Sequence, residues 1–225
     1  GITGTPFLNF GTFTSASSVK YTGNNGLDNT TVAAGNYSTL IINNVAETFV
    51  LGGDITVSNA LIITTGTLDA SSRTITLSGT TGTPFSNSGT FIASTSTVSY
   101  TGNNGLVNTT IANVTYKHLT LDNNSETYVL AADTTVSGNL TITAGTLDVV
   151  SYALTVGGNL SNLGTFMARS ATVIFNGAVD TTQTLDIGSS SLNNLEHSGA
   201  GTLKLITNAL SVARTFINSN GIFDA

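Results

Sequence analysis

The chain has 225 residues, 24 of them glycine, only two prolines and no cysteine, and twelve acids against six bases give a formal net charge of −6. An apolar content of 40% with 8% charged residues excludes disorder, and the missing cysteines exclude disulfides, thiolate chemistry and Cys-ligated zinc. Lys20, Arg73, Lys117, Arg169, Lys204 and Arg214 are scattered singly, so there is no basic stripe for nucleic acid or anionic lipid, and no apolar run approaches the roughly 18 residues of a membrane span.

Thr, Val, Ile and Phe favour strands, and no segment keeps apolar residues at helical spacing. In chain order the strands are marked by a returning three-residue phrase. It reads Gly11-Thr12-Phe13, Asn29-Thr30-Thr31, Glu47-Thr48-Phe49, Gly66-Thr67-Leu68, Gly89-Thr90-Phe91 and Asn108-Thr109-Thr110. It continues as Glu126-Thr127-Tyr128, Gly145-Thr146-Leu147, Gly164-Thr165-Phe166, Gln183-Thr184-Leu185, Gly201-Thr202-Leu203 and Gly221-Ile222-Phe223. Successive phrases are 18 to 23 residues apart. So short and regular a period is the signature of a solenoid, each repeat one coil stacked on the last.

Strand side chains alternate faces, so the residue after the Thr and the one two further on share a side. Pairs such as Phe49/Leu51, Leu68/Ala70, Tyr128/Leu130 and Leu147/Val149 are apolar and are placed inside. Phe49, Phe91, Tyr128 and Phe166 are expected to stack along one face. The column between them (Thr14, Val32, Val50, Asp69, Ile92, Ile111, Val129, Asp148, Met167, Asp186, Lys204, Asp224) contains charges and is placed in water, together with the Thr column. A second strand follows each phrase, with pairs Val19/Tyr21, Leu40/Ile42, Ile55/Val57, Ile75/Leu77, Val98/Tyr100, Leu119/Leu121, Leu154/Val156, Val173/Phe175 and Leu210/Val212; a third precedes some phrases, as Leu61/Ile63 and Leu140/Ile142. The predicted fold is all-β, a parallel β-helix (β-solenoid) of about twelve coils of about 19 residues, right-handed by the general preference for right-handed crossovers. At about 4.8 Å per coil, twelve coils span roughly 53 Å.

A longer repeat lies over the short one. Tyr21-Thr-Gly-Asn-Asn-Gly-Leu27 returns at Tyr100 to Leu106, and Gly4-Thr-Pro-Phe7 at Gly82 to Phe85. The chain is read as a single β-solenoid over 1–225 built from three four-coil units, about 1–78, 79–157 and 158–225, the last incomplete. The competing fold, three immunoglobulin-like sandwiches, explains the long period but not the short one. The phrases, with stretches such as Gly158-Asn-Leu-Ser-Asn-Leu-Gly-Thr-Phe166, resemble the repeats of autotransporter passenger regions, filamentous-haemagglutinin-like adhesins and large bacterial surface proteins. The resemblance is one of style, implies export and a structural or adhesive role, and transfers no functional residue.

No catalytic, cofactor-binding or metal-binding residue is assigned. Asp69, Asp148 and Asp224 hold equivalent places, but four coils between neighbours is about 19 Å, and Asp186 lies two coils from each; a glycosidase pair needs roughly 5 to 10 Å. His118 and His197 do not match in position and are read as surface residues. The loop Gly23-Asn-Asn-Gly-Leu-Asp28 has a faint likeness to calcium nonapeptides, yet its second copy ends in Val107, and Asn-Gly is an ordinary turn pair. Asn29, Asn36, Asn108, Asn113, Asn139 and Asn159 each begin an Asn-x-Ser/Thr triplet.

The expectation is a non-enzymatic extracellular or cell-surface protein, the shaft of a fibre, filament or adhesin, without cofactor. Its partners are copies of itself end to end or the rest of a longer shaft, with surface glycans as further partners. Absence of an initiator Met and of a visible cap, and a third unit lacking the counterpart of Ser71 to Ser78, support head-to-tail stacking or a longer parent. The alternatives are a glycan-binding or glycan-cleaving β-helix and an ice-binding protein using the Thr column.

Overall fold

A computed structural model describes residues 13–23, 29–105 and 108–225, and every regular element among them is a β-strand. The strands are β1 (Thr14–Tyr21), β2 (Thr30–Val32), β3 (Gly35–Leu51), β4 (Ile55–Asp69), β5 (Thr74–Leu77), β6 (Phe85–Asn87), β7 (Thr90–Ile92), β8 (Thr97–Tyr100), β9 (Thr109–Ile111), β10 (His118–Leu130) and β11 (Thr134–Val136). They continue as β12 (Leu140–Asp148), β13 (Leu154–Val156), β14 (Leu160–Asn162), β15 (Thr165–Met167), β16 (Thr172–Phe175), β17 (Thr182–Asp186), β18 (Leu192–His197), β19 (Thr202–Leu205), β20 (Val212–Asn218) and β21 (Ile222–Asp224). Every strand pairing is parallel. That excludes the antiparallel sandwiches and makes the chain a β-solenoid.

Three strands make a turn. β10 runs along one face up to Leu121 and, past a corner, along a second from Thr127; β11 forms the third, and β12 then lands on β10. One ladder runs through β1, β3, β4, β5, β8, β10, β12, β14, β17, β19 and β21, eleven strands and therefore ten steps. Its length is roughly 48 Å at the usual strand separation. Twelve phrases thus make about ten turns. The inner column of this ladder is Ile55, Ile75, Val98, Leu119, Leu140, Leu160, Leu185 and Leu205, with steps of 20 to 25 residues rather than 19.

The missing turns are lost where the four-phrase units meet. Val19 and Val98 hold the same place in the long repeat, yet Val19 begins the column Leu40, Leu61, Phe85 while Val98 lies on Ile75. Each unit therefore winds four turns less one of three faces, and all its columns step round by a face at the next unit. The second-strand series consequently belongs to more than one face. Likewise Phe49, Leu68 and Phe91 stack on one face and Tyr128, Leu147 and Phe166 on another, not all along one.

The interior is apolar, as the alternation predicts: Phe49, Leu51, Leu68, Ala70, Tyr128, Leu130, Leu147 and Val149 are all buried, and Phe91 is partly so. The Asn-Thr-Thr phrases run one residue out of step. Thr30 pairs with Phe49 and Thr109 with Tyr128, so Thr30, Val32, Thr109 and Ile111 face inward. A one-residue slip exchanges the two faces of a strand, which is why Val32 and Ile111 are in the core and not in water. In the same way Gln183, not Leu185, pairs with Leu203, and Gln183 is buried.

Candidate functional site

A buried hydroxyl needs a partner, and the two complete units meet that need identically. Tyr21 and Tyr37 in the first, Tyr100 and Tyr116 in the second, face each other with hydroxyl separations of 3.5 and 3.1 Å. The Ala33 and Ala112 amides each donate to the first tyrosine at 3.1 Å, and the second tyrosine donates to the carbonyl of the same alanine at 2.6 and 2.8 Å. Burial pushes the Tyr100 hydroxyl up to about 12 and the Tyr116 hydroxyl well above its ordinary value, so both stay protonated and serve as pins for the corner.

Glu126 is a second pin. Its buried carboxylate accepts from the backbone amides of Thr109 at 3.1 Å, Thr127 at 3.2 Å and Asn104 at 3.0 Å, holding the Asn103-Asn104-Gly105 turn to the coil. Glu47 does the matching task for Thr30, whose hydroxyl donates to it at 2.8 Å. Residues 24–28, the rest of the candidate calcium loop, lie outside the described residues. In the second copy the Glu126 carboxylate is taken up by amides. Near the end of the chain Gln183 bridges the Gly177 amide and the Val156 and Gly158 carbonyls, and Asn162 bridges the Ile187 carbonyl and the Gly164 amide. None of these internal polar side chains was legible as such in the sequence.

The candidate acids are not brought together. Asp69 and Asp148 hold equivalent places but lie on different faces because of the winding slip. Asp69 accepts from the Ser71 amide and the Ser94 hydroxyl, Asp186 from the Gly188 amide, and Asp224 pairs with Lys204 at 2.7 Å. Asp148 receives two nitrogens of Arg169, and that bond holds its carboxyl below the usual range against the opposing effect of burial. His118 is half-buried and its Nδ1 accepts the Asn139 amide at 3.0 Å. Burial, then Lys117, lowers its pKa. His197, expected at the surface, is fully buried, because it takes the inward place that Leu121 holds in the second unit; its Nδ1 lies 2.7 Å from Asn218 Oδ1. Among the described residues no three His, Asp or Glu side chains are grouped to hold a metal ion, and no helix is long and apolar enough to cross a membrane. Asn29, Asn36, Asn108, Asn113 and Asn139 are exposed and Asn159 half-buried.

The Thr column does not form one rank: Thr48, Thr67 and Thr90 share one face, Thr127, Thr146 and Thr165 a second, and Thr202 lies on a third, where its partner is Thr182 and not Thr184, which pairs with Lys204. At each of these corners a shallow trough opens. One is lined by Val45, Gly66, Thr67, Gly89 and Thr90, another by Gly145, Thr146, Leu163, Gly164 and Thr165, and a third by Val179, Thr182, Gly201, Thr202 and Ile222. Each has an exposed aliphatic rim, and none contains a convergent set of acids, bases or aromatic rings. No protein-family model, curated protein or solved structure matches the chain.

Proposed function

We propose that the chain is the shaft of an extracellular or cell-surface fibre or adhesin, non-enzymatic and extended along its axis by further coils, including those of other copies. One observation carries the reading. The described strands stack, all in parallel, in about ten turns on one continuous apolar interior, the construction of a shaft. On β20 and β21 Phe216 and Phe223 pack at 4.6 Å and are part-exposed, an apolar surface on which a further strand layer can stack. The sparsely charged polar surface and the use of Asp69, Asp148, Asp186 and Asp224 in local bonding favour a mechanical over a catalytic role, and the repeat style favours export.

Light scattering and electron microscopy of the purified chain test the reading. Rods that lengthen with concentration by end-to-end addition are expected, with the lengthening abolished by Phe216→Lys/Phe223→Lys. Single-copy rods of constant length at every concentration would contradict it.

A further inference from the structure

The ladder that survives the winding slip carries an outward rank in register: Thr56, Thr76, Ser99, Thr120, Thr141 and Ser161. Their hydroxyls make no bond to the protein, and the strand partners follow one another without a bulge from Thr56 to Thr120. Beneath them Ile75, Val98, Leu119, Leu140 and Leu160 are fully buried, which fixes the backbone that sets the spacing. Beside them runs a second rank that starts Thr74, Thr97, His118. From Thr74 to Thr184 it contains no carboxylate or ammonium group, Asp54 preceding and Lys204 following it as Asp186 follows Ser161 in the first rank, and the lowered pKa of His118 favours the uncharged ring at neutral pH.

At three places of this rank the chemistry differs from that of the same repeat position on the other faces. Ser99, Thr120 and Thr141 have counterparts in the first unit at Lys20, Ile41 and Ile62 and in the third at Ile174, Glu196 and Ile217, each a registered column on a different face. At these three places only the unbroken face carries hydroxyls, although the first-unit column continues to Ser86, and Thr135 and Thr155, the second-unit counterparts of Thr56 and Thr76, pair in register on a further face. Thr56 and Thr76, from a different column of the first unit, extend the same rank.

We propose that this face binds ice, its hydroxyl and methyl groups holding water in a lattice-like order at a spacing fixed by the coils. A flat, uncharged rank repeating at about 4.8 Å is matched to a periodic uncharged surface and not to a compact solute, for which sites are concave. A second copy is a poor occupant. Five steps of about 4.8 Å by two ranks about 7 Å apart make a strip of roughly 170 Å², against ~800 Å² per partner in a stable interface. Sugar rings would lack the aromatic platforms on which they stack, since neither rank holds an aromatic ring beyond the His118 imidazole.

Nanolitre osmometry on the purified chain decides the matter. Faceted ice crystals and a gap between melting and freezing temperatures are expected for the native chain and for Ile41→Lys/Ile62→Lys, which alters the equivalent positions on another face. Thr120→Lys/Thr141→Lys is expected to close the gap while circular dichroism shows the fold retained; Thr141→Lys alone serves if the double variant fails to fold. The proposal is overturned if the native chain gives no gap, if both double variants lose it equally, or if the native chain instead sediments with crystalline cellulose or chitin through the same threonines.

Discussion

Replacing Leu119 by alanine removes a side chain that is 1% exposed and lies between Val98 and Leu140 in the inner column. Deleting a buried leucine costs 2–5 kcal/mol, depending on how far the surroundings collapse. Here the backbone on both sides is held by ladder hydrogen bonds to the coils above and below, so collapse is restricted, and about 3–5 kcal/mol is expected. Thr120, the next residue, points outward, and Thr120→Ala is expected to change stability by no more than about 0.5 kcal/mol. Urea denaturation followed by circular dichroism measures both, and amide exchange shows whether the loss is confined to neighbouring coils, as nearest-neighbour coupling in a solenoid requires. Equal losses for the two variants would refute the assignment of inside and outside.

Gly145→Ala is expected to destabilise by roughly 1–3 kcal/mol from backbone conformation alone. Its φ is +88° and an added Cβ would meet the Asn123 carbonyl; Gly105→Ala, at φ +78° but in open space, isolates the overlap when the two melting temperatures are compared. Tyr116→Phe leaves the Ala112 carbonyl without its donor and Tyr100 without its partner, and should cost about 1–3 kcal/mol by chemical denaturation. Asp148 is depressed in the folded chain, so its contribution is present above the unfolded value of 3.8 and lost as pH falls below it toward the folded value. Arg169→Gln should therefore lower the neutral plateau and flatten the acid limb of the stability–pH curve by the same small amount, the guanidinium being exposed.

Alternation and period made the fold legible, because inward positions such as Phe49/Leu51 and Leu147/Val149 show as apolar pairs whatever the winding. The number of turns was not legible: Val19 and Val98 look identical in sequence, and only their partners, Leu40 and Ile75, reveal that they lie on different faces. Asn29-Thr30-Thr31 offers two registers one residue apart, and the choice is made by Glu47, 17 residues away, which bonds the buried Thr30 hydroxyl. The hydroxyl rank was hidden for the same reason. Thr76 and Thr120 belong to different columns of the repeat and meet only because the unit boundary turns the second onto the face of the first. His197 carried no signal of burial, since the alternation that would place it inside depends on aligning it with Leu121.

The slip between units is tested most directly by disulfide mapping, for which a chain without cysteine is well suited. Thr76 and Ser99 are adjacent partners across the first unit boundary, and neighbouring strands are about 4.8 Å apart. That lies within the 4.4–6.8 Å Cα separation a disulfide needs. The account predicts that Thr76→Cys/Ser99→Cys closes under mild oxidation. Ile92→Cys/Thr110→Cys, outward residues of successive phrases that would be stacked in an unslipped winding, should remain reduced. A bridge between positions 92 and 110, or none between 76 and 99, read by mass spectrometry of the digested protein, would contradict it.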